Sequence, residues 1–126
     1  MSEFFFNAHV WWQYVVVVAV VVSLVFAFRS AVMEATAETV YRLTAIAVDI
    51  QVALGIVIWL SNSGWSLGFL QGWLHPILGL AAMGVLHAFL GRARKGDPEL
   101  ANRTVRTGLL VAIVLIVASI GIGEMA

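Results

Sequence analysis

Apolar residues form four long runs along the chain, and charged residues separate each run from the next. The runs cover about residues 9–28, 42–61, 73–91 and 106–123. Each is close to the ~20 residues that an α-helix needs to cross a ~30 Å hydrocarbon layer. The segment VVVVAVVV, residues 15–22, would favour a strand in water. In lipid, however, a helix satisfies its own backbone hydrogen bonds, so the pattern predicts four transmembrane helices.

Composition supports the membrane class. Of the 126 residues, 62% are hydrophobic and 11% are charged, whereas soluble domains carry about 25% charged residues. The first run has no basic segment before it and is longer than a signal-peptide core, so we interpret it as a span. The absence of cysteine excludes disulfides and thiolate metal sites, and a net charge of zero gives no reason to expect a nucleic-acid partner. Residues 1–126 are expected to form one membrane domain.

Basic residues lie beside only two of the three connections between runs. They are Arg29, Arg42, Arg92, Arg94, Lys95, Arg103 and Arg106. The second connection, SNSGWSLGFLQG, carries no charge. The positive-inside rule then predicts an all-α, up-down-up-down four-helix bundle with both termini outside, in a prokaryotic inner membrane. The tryptophans support this orientation as an aromatic belt at the outer ends of the spans: Trp11, Trp12, Trp59, Trp65 and Trp73.

The two basic connections carry signals of helical structure. In the third, Asp97 is a candidate N-cap and Pro98 a candidate first residue of the fourth helix, which would begin before its apolar run. In the first, Glu34 and Glu38 have the i,i+4 spacing of a helix and predict that a helix continues there.

Polar side chains inside the spans fall at two heights. We estimated height by counting ~1.5 Å per residue from the cytoplasmic arginine that bounds each span. The outer level, at roughly 24–30 Å, holds His9, Gln13 and His75. The inner level, at roughly 8–14 Å, holds His87 and Asp49, with Gln51 slightly above them.

Asp49 is the only acidic residue within the spans, and His87 lies at a similar height on the next one. An ionisable group in a membrane helix costs about 2.5–3.5 kcal/mol on insertion scales and usually has a partner. We therefore expect Asp49 to contact His87 and to fix its tautomer, which leaves the second ring nitrogen for a metal or a proton. The alternative is a polar contact that only sets helix register.

The third run contains HPILGLAAMGVLH, with a histidine at each end, residues 75 and 87. Twelve residues place the two histidines about 120° apart around a helix and about 18 Å apart along it, so one cofactor cannot use both. Gly79 shares a face with His75, and Gly84 precedes His87 by three residues. Small residues there leave room for a flat macrocycle or allow close helix packing. Because Pro76 follows it, His75 could instead be an interfacial residue at a helix start.

Histidines near opposite ends of one span, glycines beside them and a basic cytoplasmic loop resemble the integral-membrane cytochromes b that hold haem in four-helix bundles. The resemblance covers the general plan of the chain. It implies haem b with its iron held by histidines of two helices, here His75 and His9, and electron transfer between quinone and a partner. His87 is a further candidate ligand, although no second inner histidine accompanies it. Asp49, Gln13 and Gln51 would orient ligands or relay protons.

The sequence therefore predicts a haem b-binding electron-transfer protein or a subunit of a respiratory complex, rather than an enzyme that acts alone. A cofactor-free accessory subunit, packed in the bilayer against other membrane subunits or a second copy, is the main alternative. A bacteriochlorophyll-binding subunit with one axial histidine, and a small proton-coupled transporter using Asp49, are further alternatives. No catalytic residue is predicted, because one acid and one base do not specify a reaction.

Overall fold

A computed structural model describes residues 2–29, 35–96 and 98–124 as an all-helical bundle. Its long helices are α1 (Ser2–Arg29), α2 (Ala35–Ser61), α3 (His75–Lys95) and α4 (Pro98–Gly123). A 3₁₀ turn (Gly64–Ser66) and a π-helix (Leu70–Leu74) lie between α2 and α3. The segments Glu3–Arg29, Thr36–Ser61, Leu70–Lys95 and Leu100–Gly123 are long and apolar enough to cross a membrane. The prediction of four membrane-length helices is confirmed.

The helices extend beyond the apolar runs. The 28 residues of α1 measure about 42 Å, well over the thickness of the hydrocarbon layer. Charged side chains at helix ends can reach the headgroup region, so a helix need not stop where apolar residues stop. In α2, for example, Arg42 pairs with Glu38 at 3.7 Å inside the helix. Pro98 is the first residue of α4, as predicted, while Glu34 and Asp97 lie outside the described residues.

Small and branched side chains fill the half of the bundle that contains the C-terminal ends of α1 and α3. Lipid offers little hydrophobic drive for helices to associate, so close packing and interhelical hydrogen bonds must hold them together. Gly108 of α4 lies directly against Phe89 of α3. Ser23 and Thr44 share a buried hydrogen bond of 2.7 Å between α1 and α2. Buried residues around them include Val20, Ala27, Tyr41, Leu86, Leu90, Ala93, Val105 and Leu109.

Between α1 and α2, and between α3 and α4, residues near the start of one helix contact residues near the end of the other. In α1 and α2, His9 contacts Gln51 and Ser23 contacts Thr44. In α3 and α4, His75 contacts Ser119, whereas Phe89, further along α3, contacts Gly108. Residue numbers thus rise in one helix as they fall in the next.

The start of α3 differs from the sequence expectation for His75. The chain is already helical before His75, in the π-helix, so His75 is not the residue at which the helical segment starts. Pro76 lacks an N–H and cannot donate to the carbonyl four residues before it, which belongs to Gly72. The Trp59 indole Nε1 donates to that carbonyl instead, at 2.7 Å. This bond joins α2 to the start of α3 and helps to hold His75 within the bundle.

Candidate functional site

A cavity of about 430 Å³ lies between the four helices, at the end of the bundle near residues 62–69. Its volume is within the 300–1,000 Å³ of typical small-molecule sites. All four helices contribute to its wall, which is mainly aliphatic, with residues such as Val52, Ile56, Leu80 and Ile120. The polar or ionisable residues in the wall are His9, Gln13, Gln51, Asn62, Gln71, His75, Ser119 and Glu124.

The imidazole of His75 is held by α4. Its Nδ1 donates to the carbonyl oxygen of Ser119 at 2.7 Å, and the Ser119 hydroxyl donates to the carbonyl of His75 at 3.0 Å. A carbonyl can only accept a hydrogen bond, so Nδ1 carries the hydrogen. In a neutral imidazole the lone pair then lies on Nε2. The contact with Ser119 thus leaves Nε2 as the nitrogen of His75 that carries the lone pair.

The imidazole of His9 lies beside that of His75. The two ring centres are 6.1 Å apart and the ring planes are nearly perpendicular, at 89°. Nδ1 of His9 is buried without a hydrogen-bond partner among the described residues. The carbonyl of His9 accepts a bond of 2.9 Å from Nε2 of Gln51, whose Oε1 is likewise buried and unpaired. A buried unpaired ring nitrogen costs free energy unless something binds it.

Each histidine is backed by a glycine of the adjacent helix. A β-carbon at Gly55 would lie 3.2 Å from Cε1 of His9, and one at Gly123 would lie 3.1 Å from Cε1 of His75. Gly55 follows Gln51 by four residues, and Gly123 follows Ser119 by four. On both helices, therefore, a polar residue and a glycine share one face and together seat a histidine.

These residues fit a haem. A metal–nitrogen bond of about 2 Å on each side places the centres of two opposed imidazoles on the order of 6 Å apart, close to the 6.1 Å observed. A haem iron takes its axial ligands from the protein and its other four nitrogens from the porphyrin, so two histidines suffice. Gly79 adds a flat part of the wall, since a β-carbon there would meet only Val52, at 4.0 Å.

His87 contacts Asp49, as the sequence predicts, but away from the cavity. Nε2 of His87 donates to both carboxylate oxygens of Asp49, at 2.8 and 2.9 Å. The two side chains are 52% and 39% exposed on the outside of the bundle. Gly84 is exposed on the same helix, with open space where a β-carbon would be. The structure thus brings His9, His75 and Gly79 to one cavity. It places His87 and Gly84 on the exposed outside of the helical bundle.

The predicted height of Gln51 is wrong. Gln51 lies at the level of His9 and lines the same cavity. The cause is that Arg29 and Arg42 do not mark one height: Thr44, two residues from Arg42, pairs with Ser23, six residues from Arg29. Counting from Arg42 therefore gives heights in α2 that are too low by about 6 Å. The indole of Trp12, one of the tryptophans in the predicted belt, donates to the carbonyl of Ala47 at 2.8 Å.

Sequence reasoning missed Ser119, Gly55 and Gly123. A single serine or glycine in a membrane helix usually indicates only close packing, so none of these residues was distinctive alone. The signal that could have found them is the repeated i,i+4 pairing of a polar residue with a glycine, in α2 and again in α4.

The contact between Asp49 and His87 is expected to stabilise the bundle by about 0.6 kcal/mol, the average for hydrogen bonds between membrane helices, and by no more than about 1.7 kcal/mol. Asp49→Leu, His87→Leu and the double variant form a double-mutant cycle that isolates this coupling. The readout is the free energy of unfolding in mixed micelles. Additive effects of the two single substitutions would show that the pair contributes nothing to stability.

Comparisons with protein-family models, with curated proteins and with solved structures found no match to this chain. The fold and the cavity define a four-helix bundle with membrane-length helices and two histidines in an internal site.

Proposed function

We propose that this chain is an integral-membrane haem b-binding protein that transfers electrons, as a carrier or as a subunit of a respiratory complex. The observation that supports this most strongly is the bond from Nδ1 of His75 to the Ser119 carbonyl, which leaves Nε2 free beside the unpaired ring of His9. When bound, haem supplies one-electron redox chemistry.

The protein side chains would position and tune that group. His75 and His9 would hold the iron. Ser119 fixes the tautomer of His75 and raises its basicity as a ligand. Gln51 holds the backbone of α1 at His9, which limits movement of the ring. The wall is mainly aliphatic, and the polarity around a haem is one of the factors that set its reduction potential.

The proposed topology is up-down-up-down in a prokaryotic inner membrane, with both termini and the uncharged second connection on the outer side. The placement of all basic residues on the other two connections and their flanks supports it, as does the reversal of contact order between consecutive helices. In this orientation the cavity lies in the outer half of the membrane. Quinone and other membrane subunits are the proposed redox partners.

A reduced-minus-oxidised absorption spectrum of the purified protein tests the proposed function. We expect an α-band and, by extraction, about one haem b per chain, because the cavity holds one pair of histidines. The protein should be expressed in a host supplied with a haem precursor, so that loading is not limiting. A colourless, folded protein under these conditions would contradict the proposal and favour a cofactor-free accessory subunit.

A further inference from the structure

A second concave site lies on the outside of α3, separate from the internal cavity. It is a surface groove of about 470 Å³ near the C-terminal end of the helix. None of its wall residues lines the internal cavity. The wall consists of His87, Ala88, Gly91, Arg92, Lys95 and Gly96.

Two cations lie at one end of this groove. Arg92 and Lys95 belong to the last turn of α3, and both are exposed. Within the described residues, neither forms an ion pair with a carboxylate: the ion pairs there join Glu38 to Arg42 and Asp49 to His87. The guanidinium of Arg92 lies over the ring of Phe89, 5.6 Å from its centre. This end of the groove is therefore suited to an anion.

The rest of the groove is lined by His87, which is paired with Asp49, and by the small residues Ala88 and Gly91. Gly84, Ala88 and Gly91 follow one another at i, i+4 and i+7, so they share one face of α3. Open space surrounds the positions that β-carbons would occupy at Gly84 and Gly91. The result is a trough about 10 Å long that leads from the middle of α3 to Arg92 and Lys95.

We propose that this groove binds an anionic phospholipid. The phosphate contacts Arg92 and Lys95, and an acyl chain lies along Gly84, Ala88 and Gly91. In the proposed topology this end of α3 is cytoplasmic, where basic pockets bind anionic lipid headgroups, and the small residues along α3 beside the charges leave space for an acyl chain. The inference does not depend on haem binding.

Native mass spectrometry of the full chain in detergent tests the charge requirement. We expect retention of phosphatidylglycerol but not of phosphatidylcholine with the same acyl chains. The Arg92→Gln, Lys95→Gln double variant should bind phosphatidylglycerol on the order of 30-fold more weakly. Arg29→Gln with Arg103→Gln is the matched control, because it removes two exposed charges from α1 and α4 and should leave binding unchanged.

Gly91→Leu tests the shape of the groove with all charges retained. It should also abolish lipid retention, whereas Gly121→Leu should not, since Gly121 is an equally open glycine on α4. The proposal would be overturned if the Arg92/Lys95 variant and the Arg29/Arg103 variant lost phosphatidylglycerol binding to the same extent. It would also be overturned if the protein retained phosphatidylcholine as well as it retains phosphatidylglycerol. Displacement of the lipid by inorganic phosphate would indicate a free-phosphate site instead. If Gly91→Leu only converts a dimer to a monomer, the groove binds a second copy and the lipid assignment is wrong.

Discussion

Replacement of His75 by alanine is expected to abolish the haem α-band completely. His75 is the histidine whose ligating nitrogen is prepared by a protein hydrogen bond, from Nδ1 to the carbonyl of Ser119. Removing the ring leaves His9 as the one histidine in the cavity wall. A single axial ligand in a site shaped for two holds haem too weakly to survive purification. The measurement is the reduced-minus-oxidised spectrum at matched protein concentration.

His87→Ala is the matched control, because His87 lies on the same helix but outside the cavity. It should retain the full band. Imidazole added during purification of the His75→Gly variant should restore part of the band, since it can occupy the space of the lost ring. If His87→Ala loses the band and His75→Ala retains it, haem is bound at His87 rather than at His75, and the proposed site is refuted.

The Gly108→Ala substitution is expected to destabilise the bundle by about 1 kcal/mol, the difference between a cost of overpacking and a smaller gain in helix propensity. Even one methyl group at residue 108 would collide with Phe89, whose Cγ would lie 2.8 Å from the new β-carbon and whose Cβ would lie closer still. Because the obstructing atoms are near the backbone of α3, α3 and α4 must separate. Overpacking of this kind costs about 1–3 kcal/mol, more than the gain of about 1 kcal/mol from replacing glycine in a helix. Equilibrium unfolding by SDS in mixed micelles, followed by circular dichroism, measures the loss.

Gly121→Ala provides the comparison within α4. No atom lies within 4 Å of the added methyl group, so only the propensity term remains and stability should stay unchanged or rise by up to about 1 kcal/mol. If the free energy of unfolding falls in Gly108→Ala and rises in Gly121→Ala, Gly108 is required for close contact between the helices. Equal effects would show that the contact with Phe89 does not determine stability.

The number of helices and the proximity of His9 to His75 could be predicted from the sequence, because apolar length and residue counts are set by the bilayer and by the rise of a helix. The direction in which each glycine faces could not. Gly79 and Gly84 look alike in the sequence, yet five residues rotate a helix by about 140°, which separates a cavity wall from an outer surface. The role of Ser119 was equally hidden, since it acts mainly through a backbone carbonyl that every residue possesses.

The two ends of the bundle are packed differently, and this affects how a membrane voltage would act on a charge in the cavity. The cavity, with His9 and His75 in its mainly aliphatic wall, occupies one end, whereas tightly packed side chains and the Ser23–Thr44 bond occupy the other. Moving one charge through the full membrane voltage requires about 2.3 kcal/mol per 100 mV, and a charge that stops part of the way across works against only part of that voltage. In the proposed orientation, a charge arriving in the cavity from the outer surface crosses only part of that voltage. In that orientation, electron exchange with the outer side would therefore depend less on the membrane voltage than transfer to the inner side would.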